Sequence, residues 1–287
     1  MSVINNTKQP PIQSNKMYQK NILTIQTLQI APIRTLMSAL KDILLETNIV
    51  FTKEGIKIIN MDKSHTILVH LNLEAKNFEL YECKMDKIVI GVNVFHLFKL
   101  INSIDNNDTL TIYIEDVDYS DGVVQFLGLK FENATIKQQK IQKLRLIEPD
   151  TDELSLPDIK FSSILNLPSS DFQKIVRDLT CISDKIEIKS IVTANGVELI
   201  FKCSGGFAEA EIRRTESDGN MEYVKKQDVS KIIQGEFSLT NLGYFIKCTN
   251  LCNQIELYLE NNLPLIVKYN VASLGVIMLA LASIPSS

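Results

Sequence analysis

One succession of elements occurs twice in this chain, first from Asn21 and again from Lys160, and it limits the fold to something built as a duplicated unit. In the first copy Asn21–Ile30 alternates as a strand. Ile33, Met37, Leu40 and Leu44 then recur at helical spacing and predict a helix over Ala31–Leu45. Ile49–Phe51, a Lys53-Glu54-Gly55 turn, Ile56 and Ile58, and the alternating run Thr66–Leu73 follow as strands. The second copy runs through a strand at Lys160–Leu167 and a helix at Ser169–Ile182, apolar at Phe172, Ile175, Val176 and Leu179. A strand at Lys185–Val192, an Asn195-Gly196 turn and a strand at Val197–Cys203 complete the parallel. Each copy also has a second helix leading into an alternating strand: Val94–Ile104 before Thr109–Glu115, and Asn241–Leu251 before Gln254–Glu260. Helices and strands are therefore mixed in each half, an α+β arrangement.

The expected division is a polar, disordered N-terminal extension at 1–20, one domain at 21–143, a connector at 144–159 and a second domain at 160–287. The connector carries Pro149 and Pro157 among Glu148, Asp150, Asp152, Glu153 and Asp158, which marks an exposed link. Leu154 and Leu156 interrupt it. Two apolar side chains in an acidic loop are either pinned against the body of the protein or part of a docking groove.

A chain of 287 residues with 45% hydrophobic content is long enough for two ordinary cores. Its net charge of -4 excludes a generally basic nucleic-acid coat but leaves room for a basic patch. Residues 1–20 lack the zones of a signal peptide. The apolar run Val271–Ala282 is well short of the about 20 residues that cross a bilayer, so a soluble, intracellular protein with no membrane partner is expected. Five cysteines without framework spacing fit a reducing compartment, and the Cys248/Cys252 pair has no second Cys/His pair to complete a metal site. Neither a metal nor another cofactor is expected.

The helices carry the charge pattern of interest. Arg34, Ser38 and Lys41 form a stripe away from the apolar face of the first helix, and Ser170, Lys174 and Arg177 repeat those offsets on its counterpart. Lys99 and Lys247 are the matching cations of the second helices. Such stripes are either solvated helix faces or four helices turning cations the same way. Asp42, Asp171 and Asp178 on the same helices oppose tight phosphate binding, which leaves a loose, sequence-blind contact with nucleic acid. No aromatic stacking partner is assigned to these cations. No phosphate loop, zinc-protease helix, nucleophile elbow or paired C-x-x-C is present, so no catalytic residue is assigned. Of the histidines, His70 is read as solvent-side on its strand and His65 as tying a turn by hydrogen bonding.

Ile59-Asn-Met-Asp-Lys-Ser-His-Thr-Ile-Leu-Val-His-Leu-Asn-Leu73 resembles the signature of the proliferating cell nuclear antigen family of DNA sliding clamps. Further similarities follow in order at Phe78–Cys83, Ile90–Asn93 with Phe98–Leu100, Leu167–Phe172 with Ile175–Leu179, Asn262–Tyr269 and Leu274-Gly275. The resemblance covers about Asn21–Ala282.

That resemblance implies the DNA clamp fold: two similar domains per subunit, joined head to tail in a homotrimeric ring with helices lining the hole and sheets outside. It implies a polymerase processivity factor that encircles double-stranded DNA without reading sequence and binds polymerase, clamp loader and repair proteins through short peptides. Arg34, Lys41, Lys99, Lys174, Arg177 and Lys247 match pore positions facing phosphates. Met61, Leu68, Leu154, Leu156, Pro264 and Ala282 match the partner-peptide pocket, where Ala280 and Ser283 stand in for the family's aromatic residue and proline and widen it. Ring closure needs free strand edges, expected near Val123–Phe131 and Val197–Cys203, with Val124, Phe126, Leu199 and Phe201 at the contact. An Ile-, Asn- and Lys-rich composition fits an AT-rich genome such as that of a large DNA virus, which places the protein in the nucleus or at the viral replication site. A checkpoint-type clamp subunit, a monomeric viral processivity factor and an undetected enzyme are the competing readings.

Overall fold

The computed structural model describes residues 20–151, 154, 159–193, 196–216, 220–228 and 231–285. The expected N-terminal extension, apart from Lys20, lies outside them, as does Leu156.

The first half runs β1 (Asn21–Thr27), α1 (Ile30–Ile43), β2 (Glu46–Thr52), β3 (Gly55–Met61), β4 (Ile67–Glu74), β5 (Leu80–Cys83), β6 (Lys87–Asn93), α2 (Val94–Asn102) and β7 (Thr109–Glu115). A small hairpin of β8 (Tyr119–Ser120) and β9 (Val123–Val124) precedes β10 (Phe126–Asn133) and β11 (Gln138–Arg145). The second half runs β12 (Ser163–Pro168), α3 (Ser169–Thr180), β13 (Lys185–Thr193), β14 (Gly196–Ser204), β15 (Glu209–Thr215), β16 (Glu222–Lys225), β17 (Ile233–Ser238), α4 (Leu239–Phe245), β18 (Gln254–Leu259), β19 (Leu265–Val271) and β20 (Gly275–Leu281). Apart from the β8–β9 hairpin, the two halves match element for element.

Local chemistry sets these boundaries the same way in both halves. Asn93 caps α2 by accepting a hydrogen bond from the His96 amide at 3.0 Å, and Ser238 caps α4 by accepting from that of Asn241 at 3.2 Å. The α4 helix is shorter than the sequence pattern suggests, because residues Ile246–Leu251 tighten into a 3-10 turn that carries Lys247.

The strands pair antiparallel. One five-stranded sheet has the order β11-β10-β7-β1-β5, and its counterpart β20-β19-β18-β12-β16 has the same connectivity. A four-stranded sheet, β15-β14-β13-β17, is the counterpart of β4-β3-β2-β6. Within the chain β20 pairs with β4, from Gly275 opposite Leu73 to Leu281 opposite Ile67, so two of these four units fuse into a nine-stranded sheet that crosses from one half to the other. The strands alternate in burial: Ile67, Val69, Leu71 and Leu73 of β4 and Ile277, Leu279 and Leu281 of β20 all lie in the core. The segment after β11 returns to the first half, where Ile147 bridges Gly91 of β6. Only glycine fits there, since a Cβ on Gly91 would stand 2.7 Å from the Ile147 carbonyl oxygen.

The topology corrects the expected edges. Both β10 and β14 are interior strands, and Leu199 and Phe201 are fully buried while Val124 is nearly so. Next to them, β11 and β15 end their sheets, with sequences QQKIQKLR and EAEIRRT. Their Gln, Lys, Arg and Glu content is the mark of protected edges, whereas the apolar alternation of β10 and β14 belongs to strands covered on both sides.

Candidate nucleic-acid and partner surfaces

The four helices form one row in which α2 packs on α1, α1 on α4 and its 3-10 extension, and these on α3. Their buried faces align Ile33 with Phe172, Met37 with Val176 and Leu40 with Leu179. In that alignment Arg34 and Lys41 correspond to Gln173 and Thr180, while Lys174 and Arg177 correspond to Thr35 and Ser38. The cations of the two stripes are thus not equivalent in position, contrary to the reading from their spacing.

Their environments differ accordingly. Arg34 is half-buried and donates to the Ile104 carbonyl beyond the end of α2, as Gln173 donates to that of Ile246 at 3.2 Å. It ties two helices together. Lys41 and Lys247 both contact Asp42, at 2.8 and 2.6 Å, so one carboxylate bridges the helices of the two halves. Burial alone would raise the Asp42 pKa, but the hydrogen bonds from Lys247 and Lys41 outweigh it and hold the carboxyl below its usual range. Lys99, Lys174 and Arg177 are exposed and form no ion pair among the described residues. Asp171 is half-buried and pairs with Arg214 of β15 at 3.2 Å, and Asp178 is the exposed acid of α3.

Sequence reasoning missed the aromatic supports. The Lys99 ammonium stands 4.5 Å from the centre of the Phe95 ring, Lys41 5.1 Å from that of Phe98 and Lys247 5.5 Å from that of Tyr244. The i, i+4 spacing of Phe95 and Lys99 and the i, i+3 spacing of Tyr244 and Lys247 were the available signals.

A second surface lies on the other side of the sheet. Met61 sits opposite Leu68, Leu68 opposite Ala280, and Ala280 opposite Ile266, which lays a partly exposed apolar band across β3, β4, β20 and β19. Pro264 and Ala282 flank the last pair of the β19–β20 ladder, so these two join Met61 and Leu68 at one end of the band. Ala280 and Ile266 complete it. Leu154, 40% exposed, lines a neighbouring cleft of about 310 Å³ with Ile59, Asn60, Asn48 and Ile147. The connector is held beside this cleft by Asn48, whose side chain donates to the Asp150 carbonyl at 2.7 Å and accepts from its amide at 2.9 Å.

Between β3 and β4 the tight turn is closed chiefly by the Asp62 carboxylate, with the His65 amide donating to the Asp62 carbonyl at 3.0 Å. The Asp62 carboxylate accepts from the amides of Thr66 at 2.8 Å and Ile67 at 2.7 Å, while His65 occupies the left-handed region at φ 55. Burial opposes ionisation of Asp62, yet the bonds from Ser64 and these amides keep its pKa below the usual value. His70 is half-buried with Nδ1 unpartnered, and burial, aided by Lys57, lowers its pKa. No cluster of three or more potential metal ligands occurs among the described residues, and Cys248 is fully buried with its thiol pKa pushed up to about 12 by burial. No helix among them is long and apolar enough to cross a membrane.

A duplicated α+β unit with a single helix row and one sheet that crosses between its halves has the architecture of a DNA clamp. Residues 22–153 match the family model for the N-terminal domain of proliferating cell nuclear antigen and residues 155–284 that for its C-terminal domain. The chain belongs to the proliferating cell nuclear antigen family. It is 31% identical to the probable DNA polymerase sliding clamp 1 of Paramecium bursaria Chlorella virus 1 over 267 residues, 91% of this chain and 97% of the relative. It is also 32% identical to the probable DNA polymerase sliding clamp of Acanthamoeba polyphaga mimivirus over 221 residues, 77% of this chain but only 45% of that longer protein.

Proposed function

We propose that the protein is a DNA polymerase processivity factor, a homotrimeric clamp that encircles duplex DNA and works at the site of viral DNA replication or in the nucleus. One observation carries the ring. Inside the chain β4 pairs with β3 and also with β20, yet their counterparts β15 and β11 pair only with β14 and β10 among the described residues. A second copy can satisfy both with the pairing already used inside the chain, and a head-to-tail contact of this kind closes a ring if the rotation permits. Three subunits, each contributing two similar halves, are the family's solution.

The internal junction also supplies a register. Tyr81 and Tyr223 occupy corresponding places opposite Ile25 and Leu165, and Asn93 and Ser238 are corresponding caps. Tracing the ladders from these points equates Leu279 with Gln142, and Val69 with Ala210. Because Leu279 faces Val69 in the chain, Gln142 of one subunit faces Ala210 of the next.

The helix row lines the hole, with Lys99, Lys174 and Arg177 as its free cations and Lys41 and Lys247 damped by Asp42. Such contacts are weak, screened by salt and indifferent to sequence, which suits sliding better than capture. The Met61, Leu68, Ala280 and Ile266 band with Pro264, Ala282 and the connector takes short partner peptides with apolar anchors. The role is tethering, with no chemistry of its own. Primer extension by a replicative polymerase on singly primed DNA tests it: the clamp with its loader should lengthen products several-fold, and unchanged product length would refute the reading. Leu68→Asp should abolish that gain while leaving subunit assembly intact.

A further inference from the structure

The turn joining β14 to β15 presents one side chain unlike the rest. Phe207 is 79% exposed, an unusual position for a large aromatic, on a turn closed by the Gly205 amide donating to the Ala208 carbonyl at 2.9 Å. The turn is fixed as well as short. A Cβ on Gly205 would lie 1.9 Å from the Ile182 carbonyl oxygen, so the backbone packs directly on the segment after α3 and holds Phe207 outward.

At the far end of the other free edge is a cavity of about 510 Å³ lined by Val123, Val124, Gln125, Phe126, Arg145 and Leu146. Val123 is 50% exposed there, and the exposed Arg145 guanidinium stands 5.8 Å from the centre of the Phe126 ring. Arg145 forms no ion pair among the described residues. The cavity owes part of its wall to the β8–β9 hairpin, which has no counterpart among the described residues of the second half.

The internal junction relates the two features. There the Ala282 amide donates to the Thr66 carbonyl at 2.9 Å, one step past the Leu281–Ile67 pair. Carried to the free edges in the register proposed above, Ala282 corresponds to Arg145 and Thr66 to Phe207, both on the outer face of the sheet. We propose that Phe207 of each subunit seats in the cavity of its neighbour, stacked on the side of Arg145 opposite Phe126, so that one guanidinium lies between two rings. This inference rests on the ring reading and adds its anchor. An aromatic side chain in a preformed cleft with a cation between two π faces is the composition of an interface hot spot. A second copy is the fitting occupant because the same chain carries both the projecting ring and the matching cavity, at corresponding points of the β15 and β11 edges.

Dilution of the full-length protein, followed by light scattering or sedimentation, tests the anchor. Phe207→Ala should assemble at high concentration but dissociate at a concentration at least about tenfold higher than the unmodified chain. Arg145→Ala should weaken assembly similarly, and the double variant should be little worse than either alone. Phe207 lies on the surface, so its removal should leave thermal unfolding of the subunit unchanged. If the unmodified chain assembles and both single variants dissociate at the same concentration as it does, the anchor is wrong while the ring stands. If the unmodified chain is a monomer at every concentration, both are wrong.

Discussion

At the scale of single residues, charged side chains with similar spacing have different tasks. Arg34 stands on a polar stripe in the sequence, but its guanidinium serves the Ile104 carbonyl, seventy positions away, a relation no local pattern reveals. Lys174 and Arg177 are exposed on α3 and form no ion pair among the described residues. Reversing both to Glu should leave subunit folding intact and reduce retention on duplex DNA by tenfold or more at low salt, with the gap narrowing as salt is raised. Arg34→Ala should instead lower unfolding stability by about 1–2 kcal/mol with a smaller effect on DNA. Equal effects on DNA retention would contradict this division.

Glu260 gives a separate test by pH. Burial alone would raise its pKa, but Lys231 at 2.5 Å, Ser162 and the Asn261 amide hold it down to about 2, against an ordinary 4.5. A depressed carboxylate contributes stability that is complete above about 4.5 and is lost as pH falls toward about 2. Glu260→Gln should therefore lower the denaturant midpoint at pH 7 and converge with the unmodified chain near pH 2. A constant difference across that range would show that charge is not the cause.

At the scale of elements, the helices and most strands were legible because their apolar residues repeat with the period of the structure. Ile33, Met37 and Leu40 all point into the core as expected, as do Phe172, Ile175, Val176 and Leu179. Strand order was not legible from alternation, since β14 alternates whether it lies at an edge or between β13 and β15. Composition was the better guide: charged residues crowd β15 and β11, while Leu199 and Phe201 are apolar and buried. Leu199→Asp should therefore unfold the second half by leaving a carboxylate in the core, a cost of more than about 4 kcal/mol, and not release folded monomers. Circular dichroism and thermal melting would separate the outcomes, and a folded monomer would overturn this account of β14.

The outer apolar band was legible only in part, because strand partners decide it. Met61, Leu68, Pro264 and Ala282 do gather at one end of a sheet face, while Ile266, two residues past Pro264, joins them through a ladder that links β19 to β20 and β20 to β4.

At the scale of the whole molecule, one junction is made inside the chain and its equivalent is left open at both ends. The β20–β4 pair buries its inward side chains and satisfies its backbone groups, whereas among the described residues β11 and β15 have a strand partner on one side only. On the proposed ring reading a subunit of this design is one segment, and the cations along the helix row act together when the segments close around duplex DNA.

The most direct measurement is covalent. In a variant carrying Gln142→Cys and Ala210→Cys, with the native cysteines at 83, 181, 203, 248 and 252 replaced by serine or alanine, mild oxidation should join residue 142 of one subunit to residue 210 of the next. The predicted product, after denaturation under non-reducing conditions, is a closed species of three chains of 32.4 kDa each, and each single-cysteine variant should yield no such species. Chains that stay at monomer mass after oxidation, although both thiols are accessible and the protein is folded, would contradict the ring.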